Sequence, residues 1–332
     1  MSTASLIDMS TASPMKRLQQ TLVDFLRAQL EGFALAPQSE EQRLQSVRHL
    51  CAIISSTEFD SAAKSYLLSQ LHENPAILPI PGGCAEFSFN FWRDLRTIAT
   101  MSWEPHNMRL LRRVLREGSH VVDIGAHVGH FTIYMAHLVG PTGRVLAVEP
   151  APDNFSALQA NLERNGIQAF AKAIQVALCD MEGTAALFHD GDTGGTEYSL
   201  FSERHGNRGV TCQTNLLTLD SLVKKEKLGH VDFVKIDTEG AELAVLQGSE
   251  EMLGNNEVSL LVELHPWIVP PEQVCKFLQD KGFQLYLVSD QITSISCSEE
   301  LKEYSTGSGD IFAAKGHALD DFRLSLAEQQ TG

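Results

Sequence analysis

No run of apolar residues in this chain approaches the roughly 18 to 20 that a membrane-spanning helix needs, so no integral membrane segment is predicted. The start, "MSTASLIDMSTASPMKRL", lacks a basic stretch followed by an apolar core, so no secretory signal is read there. Basic charge is also scarce. Against 42 acids stand 26 Lys and Arg, a formal net charge of −16. That balance argues against a nucleic-acid partner, which needs a basic face, and against broad adhesion to an anionic membrane. The six cysteines (Cys51, Cys84, Cys179, Cys212, Cys275, Cys297) include no CxxC pair. Their scatter fits free thiols in a reducing compartment better than a disulfide framework or a zinc site, and the expected location is cytoplasmic.

What is present is the composition of an ordinary globular protein: 332 residues, 43% hydrophobic and 20% charged. That length accommodates one large domain, or one plus an extension. Residues 1–15 read as a disordered tail. Residues 16–78 read as a helical extension, with Leu18, Leu22, Phe25, Leu26 and Leu30 on one face and a capping-box signal at Ser39 and Gln42. Residues 79–107 form a lead-in and linker, overlapping the Pro- and Gly-punctuated "NPAILPIPGG" (Asn74 to Gly83) that serves as the linker and carrying Phe87, Phe89 and Phe91 in strand-like alternation. From 108 to 315 the pattern alternates between strand and helix, and 316–332 reads as a C-terminal tail. "HVVDIG", "GRVLAVEP", "IQVALCD", "VDFVKID" and "VSLLVELHP" are the expected core strands, with "FQLYLV" and "GDIFAAK" closing the domain. Strands separated by helices of about 10 to 14 residues imply a parallel, doubly wound α/β sheet covered on both faces.

In "VVDIGAHVGHFT", Asp123 ends a strand, and Gly125, Ala126, His127 and Gly129 make the turn that opens a helix. In an open α/β sheet the ligand crevice lies beside such a turn, where glycine lets a ligand approach the backbone and the helix start offers free N–H groups. The turn alone is weak evidence, and it lacks the third glycine of the dinucleotide fingerprint. Glu149, at the tip of the next strand, strengthens it. An acid there can accept both hydroxyls of a ribose, whether from NAD or from an adenosyl group.

Taken together, "VVDIGAHVGHFTIYMAHLVGPTGRVLAVEPAPDNFSALQANLERNG", "VALCDMEGTAAL", "LLTLDSLV", "VDFVKIDTEGAELAVLQG" and "LLVELHP" resemble the FkbM family of S-adenosylmethionine-dependent methyltransferases over about residues 105–315. The resemblance implies a class I methyltransferase, with a Rossmann-like, doubly wound, seven-stranded sheet whose last strand is antiparallel. Carried onto this chain, it implies that Asp123 and the Gly125–Gly129 turn face the methionine part of S-adenosylmethionine. Glu149 would hold the ribose, Pro150 and Asn154 would border the adenosine, and Leu178 to Asp180 would lie on the adenine side. Asp180 reads equally well as a turn residue. The family commonly has Asn where this chain has His127.

Transfer of a methyl group from a sulfonium needs alignment and a dry site, and a hydroxyl acceptor also needs a group to take its proton. Strand-end residues supply the candidates. Asp237 shares a face with Phe233 and Lys235 and serves either the site or an N-cap. Glu239 borders the site, and Glu242 either takes part or only favours the helix dipole. Gly248 reads as a helix stop. His265, two residues after Glu263, is a candidate base whose tautomer that Glu would fix. The catalytic candidates are therefore Asp237, Glu239 and His265. Asp237, Glu239, Glu263 and His265 offer a divalent-cation site as an alternative, although nothing in the sequence requires a metal. The stretch 189–209 is either a lid with Tyr198, Arg204 and His205 as contacts or a plain long loop. The leading function is O-methylation of a hydroxyl on a small molecule, sugar or lipid-linked acceptor. N-methylation and a non-catalytic cofactor-binding scaffold are the alternatives, and an NAD-dependent enzyme is disfavoured by the missing glycine. The extension would pack on the catalytic domain or on a second subunit in a homodimer.

Overall fold

The structure is a computed structural model describing residues 76–80, 83–87, 104–189, 198–201, 210–255, 257–266, 268–295 and 309–330. The chain divides into two compact units, 1–79 with 86–102, and 80–85 with 103–332. The expected tail and the helical pattern up to residue 71 lie outside the described residues, as do Phe89 and Phe91. Strands β1 (Ala76–Ile80) and β2 (Gly83–Phe87) pair as a two-stranded sheet.

From residue 103 the second unit continues with helix α1 (Pro105–Val114), followed by β3 (His120–Ile124), α2 (His130–Val139), β4 (Arg144–Val148), α3 (Pro152–Arg164) and β5 (Ala171–Ile174). Next come β6 (Ala177–Leu178), β7 (Gly183–His189), β8 (Tyr198–Ser199), β9 (Val210–Leu217) and α4 (Leu219–Lys225). Then follow β10 (Phe233–Ile236), α5 (Glu242–Gln247), α6 (Glu250–Asn255), β11 (Ser259–Leu264), α7 (Pro271–Asp280), β12 (Gln284–Val288), β13 (Ile292–Ile295), β14 (Gly309–Ala314) and α8 (Gly316–Gln330).

The main sheet has the order β13-β12-β14-β11-β10-β3-β4-β5. Strands β11, β10, β3, β4 and β5 are parallel, while β14 runs antiparallel between β11 and β12. This is the expected class I arrangement with one addition, the edge strand β13 paired antiparallel to β12. The central strands are mostly apolar because both faces are covered, with Asp123 and Lys235 the buried charged exceptions. One face buries Val122, Ile124, Leu146, Val148, Val234, Ile236, Leu260 and Val262 in one core. The alternate residues Val121, Val145, Ala147, Phe233, Leu261 and Phe312 enter the other. A strand period of two sorts them.

Two local expectations are corrected. The third parallel strand is Ala171–Ile174, three residues earlier than the apolar run "IQVALCD" suggested. Most of that run leaves the sheet: Ala177 and Leu178 pair in parallel with Leu216 and Leu217, in a second sheet of order β6-β9-β7-β8. Residues 316–330 form a helix, and its Phe322, 2% exposed, packs with Tyr286 and Phe312 at ring distances of 5.0 and 4.3 Å. Gly248 caps the C-terminus of α5, as expected, with φ −76. A Cβ there would sit 2.0 Å from the Cys179 carbonyl oxygen, and that close approach is what requires glycine.

Candidate active site

The strand order reverses at β3, with β4 and β5 on one side and β10 and β11 on the other. A crevice opens at such a switch point, outside the carboxyl ends of the strands. There the turn after β3 meets the exit of β10. The Asp237 N–H donates to the Ile124 carbonyl at 3.0 Å, and the Gly125 and Ala126 N–H groups donate to the Val148 carbonyl at 2.9 and 3.0 Å. Gly125 has φ +80, and a Cβ on it would lie 1.6 Å from the Asp237 carbonyl oxygen. No other residue fits.

His127 has φ +51. Asn, Asp and His enter this left-handed region several-fold more readily than other side chains. The departure from the usual Asn therefore preserves the turn. What His127 offers the site is its backbone: its N–H donates to Glu149 Oε2 at 2.8 Å. Ala151 N–H at 3.0 Å and Asn154 Nδ2 at 3.4 Å donate to Glu149 Oε1. Burial pushes the Glu149 carboxyl up to about 7 against the pull of these donors, with Asp237 adding a smaller push. Pro150 is half-buried beside it.

Asp123 is fully buried at the end of β3 and accepts from Thr132 Oγ1 at 2.6 Å through Oδ2. Its Oδ1 has no hydrogen-bond partner. Burial raises its pKa, opposed by Lys235 and Thr132. Lys235, its register partner on β10, is 4% exposed and donates to Asp237 Oδ2 at 2.9 Å. Burial alone would drive Asp237 upward. Lys235, a hydrogen bond from Glu263 and the nearby His265 instead hold it at about 2. Glu263 is raised well above the carboxylate range by burial and by Asp237 and Asp310. Protonated, it is the donor between the two acids. Asp237 is no helix cap, since α5 starts five residues later with Ala241 as its cap.

Behind these acids lies His265, 3% exposed. Its Nδ1 is 3.0 Å from Glu242 Oε1, its Nε2 is 3.0 Å from Glu239 Oε2, and Glu263 stands farther off at 3.8 Å. Glu242, not Glu263, therefore orients the ring. Burial would lower the His265 pKa, but Glu242 and the other carboxylates raise it overall. An imidazolium donating from both nitrogens fits that field. The accessible groups are the acids: side-chain exposures are 23% for Asp237, 19% for Glu239 and 20% for Glu263, against 2% for His265. One potential ligand atom from each of Asp237, Glu239 and His265 lies within 4.8 Å of the others, spacing that would also admit a cation.

Leu178 is 2% exposed and points into the core, so only its backbone remains available to a ligand. Asp180 is exposed just beyond β6. Tyr198, stacked on His189 at 4.5 Å, stands where Asp153 and Glu149 influence its hydroxyl, on the side of the crevice marked by Glu149. Arg204 and His205 lie outside the described residues. Sequence reasoning passed over Lys235, Thr132 and Ser199 and left Glu242 ambiguous. Only the shared strand face of Lys235 and Asp237 gave a usable signal.

Residues 123–285 match the family of the methyltransferase FkbM domain. Methyltransferase sdnD of Sordaria araneosa is 30% identical over 192 residues, 50% of this chain and 73% of that protein. The chain belongs to the FkbM methyltransferase family. Among its relatives is the 31-O-demethyl-FK506 methyltransferase FkbM of Streptomyces tacrolimicus, 26% identical over 204 residues, covering 54% of this chain and 77% of that protein. Another is the hexuronic acid methyltransferase AglP of Haloferax volcanii, 25% identical over 227 residues, covering 68% and 87%. The chain is a methyltransferase and its cofactor is S-adenosylmethionine. The crevice fits that cofactor. The turn at Gly125 leaves the backbone bare, Asp123 Oδ1 is a buried acceptor lacking a donor, and Glu149 is a strand-tip carboxylate at ribose spacing. Among the described residues no helix is long and apolar enough to cross a membrane.

Proposed function

We propose that this protein methylates a hydroxyl group on a small molecule, sugar or lipid-linked acceptor. Asp123, the Gly125–Gly129 turn, Glu149, Pro150 and Asn154 hold the cofactor, and Leu178 and Asp180 border its adenine side. S-adenosylmethionine supplies an electrophilic methyl on a sulfonium with a neutral leaving group. The observation that carries the reading is the pair of accessible carboxylates, Asp237 and Glu239, at the exit of β10 beside the cofactor turn.

Their surroundings divide the labour. Asp237, held near 2 with Lys235 at 2.9 Å, stays ionised and is a poor base. It accepts a hydrogen bond from the acceptor hydroxyl and aims the oxygen lone pair at the methyl group. Glu239 takes the proton as the oxygen–carbon bond forms and the carbon–sulfur bond breaks. His265 keeps Glu239 in place from behind. Hydroxyl acceptors are favoured because an amine needs no such base.

The test measures methyl transfer from labelled S-adenosylmethionine to a panel of polyols, glycosides, phenols and amines. Hydroxyl acceptors are expected to be turned over, with Asp237→Asn lowering the rate at least about tenfold while S-adenosylhomocysteine still binds. Wild-type rates in that variant would remove Asp237 from the mechanism. Turnover of amines alone would replace the hydroxyl reading.

A further inference from the structure

Glu242 looks from the sequence like a first-turn acid serving a helix dipole, a role that leaves its carboxylate in water. Here it is 1% exposed. One oxygen, Oε1, accepts from the Thr238 N–H at 3.1 Å, the Thr238 hydroxyl at 3.1 Å and the Gly240 N–H at 2.9 Å. It also faces His265 Nδ1 at 3.0 Å. A carboxylate only accepts, so Nδ1 carries a proton there.

The two backbone donors flank Glu239 on either side. Glu239 has φ +58, a left-handed conformation in which a non-glycine residue is rare. Such strain costs of order 1–3 kcal/mol and persists only where the surroundings over-determine it. Ser199 Oγ adds a third tie by donating to the Glu239 carbonyl at 2.9 Å. Gly240 makes the close approach to Ile268 that the turn requires, since a Cβ there would lie 2.8 Å from Ile268 carbons.

We infer that Glu242 is the positioning residue of this centre: a single buried carboxylate oxygen fixes both the turn that aims Glu239 into the crevice and the imidazole that backs it. The inference rests on the proposed role of Glu239 in taking the acceptor proton. Glu242, His265 and Glu239 form a carboxylate–imidazole–carboxylate line, with its buried end at Glu242 and its accessible end at Glu239. Among the described residues, the charged groups facing His265 include Glu242 from α5, Glu239 and Asp237 from the exit of β10, and Glu263 from β11.

Nitrogen-15 NMR of the full chain tests this without knowledge of the acceptor. The His265 ring signals are assigned by their loss in His265→Gln, then titrated in the wild type, Glu242→Gln and Glu242→Asp. In Glu242→Gln the His265 midpoint is expected to shift to lower pH and its Nδ1–H signal to move, with S-adenosylhomocysteine affinity by calorimetry unchanged. Glu242→Asp keeps the charge but withdraws it by one methylene, so it gives a smaller shift in the same direction and serves if the Gln variant does not fold. An unchanged midpoint and an unchanged Nδ1 signal in the folded variants would overturn the inference and leave Glu242 a structural clamp. Failure of the wild type to bind S-adenosylhomocysteine would defeat the cofactor reading instead, with the His265 titration still deciding the role of Glu242.

Discussion

Gly125→Ala places a methyl group where β3 and β10 come closest. The new Cβ would lie 1.6 Å from the Asp237 carbonyl oxygen and 2.7 Å from its carbon. An ordinary carbon–oxygen contact is about 3.3 Å, so the two backbones must part by about 1.7 Å. Neither atom belongs to a flexible side chain. Parting them breaks the Asp237 N–H bond to the Ile124 carbonyl and disturbs the two donations to Val148, each worth about 1 kcal/mol net. The left-handed φ of +80 adds about 1–2 kcal/mol for any residue with a Cβ. With all three bonds lost the sum is about 4–5 kcal/mol, at the exceptional end for a single substitution. Gly166→Ala is the internal control, with φ +66 and nothing within 4 Å of its new Cβ, so it carries the backbone cost of about 1–2 kcal/mol alone. Urea denaturation of both variants, with calorimetry of S-adenosylhomocysteine binding, reads the difference. If Gly125→Ala costs no more than Gly166→Ala and binds the ligand normally, the close-approach argument fails.

Three further outcomes follow from the same structure. Burial raises the Glu149 carboxyl from about 4.5 to about 7, so its folded state favours the proton. Its contribution to apo stability is present at low pH and is lost as pH rises from 4.5 through 7. The ribose diol donates to the ionised form, so cofactor affinity should rise between about pH 6 and 8 and be flat in Glu149→Gln; a flat wild-type profile would remove Glu149 from the ribose site. Phe322→Ala should destabilise the domain by about 3–5 kcal/mol, because its ring fills the space against Tyr286 and Phe312; a change below about 1 kcal/mol in urea melts would make α8 dispensable to the core. Methyl transfer should survive chelation by EDTA, because Lys235 and His265 already face the carboxylates that a metal would need. Activity that vanishes with EDTA and returns with magnesium or manganese would turn the Asp237, Glu239 and His265 group into a metal site.

The doubly wound sheet is legible in the sequence because strands buried on both faces are mostly apolar, as in "VVDI", "VLAV" and "SLLV", with the buried Asp123 an exception. The turn glycines, the strand-tip Glu149 and the acids at the exit of β10 are legible because they sit at fixed distances from those runs. Contacts between distant segments are not written in local pattern. Nothing near Glu242 in sequence reveals that it meets His265 across 23 positions, or that Ser199 reaches the Glu239 carbonyl 40 positions away. The apolar run at 174–180 could not disclose that it leaves the main sheet, since burial in either sheet demands the same residues. The amino acids alone determined the fold class and the positions of the glycine turn, the strand-tip Glu149 and the acids after β10. Tertiary structure decided which acid is accessible, which is buried and which cation lies beside it, because burial and charge separation are set by the packing of β10, α5 and β11 together.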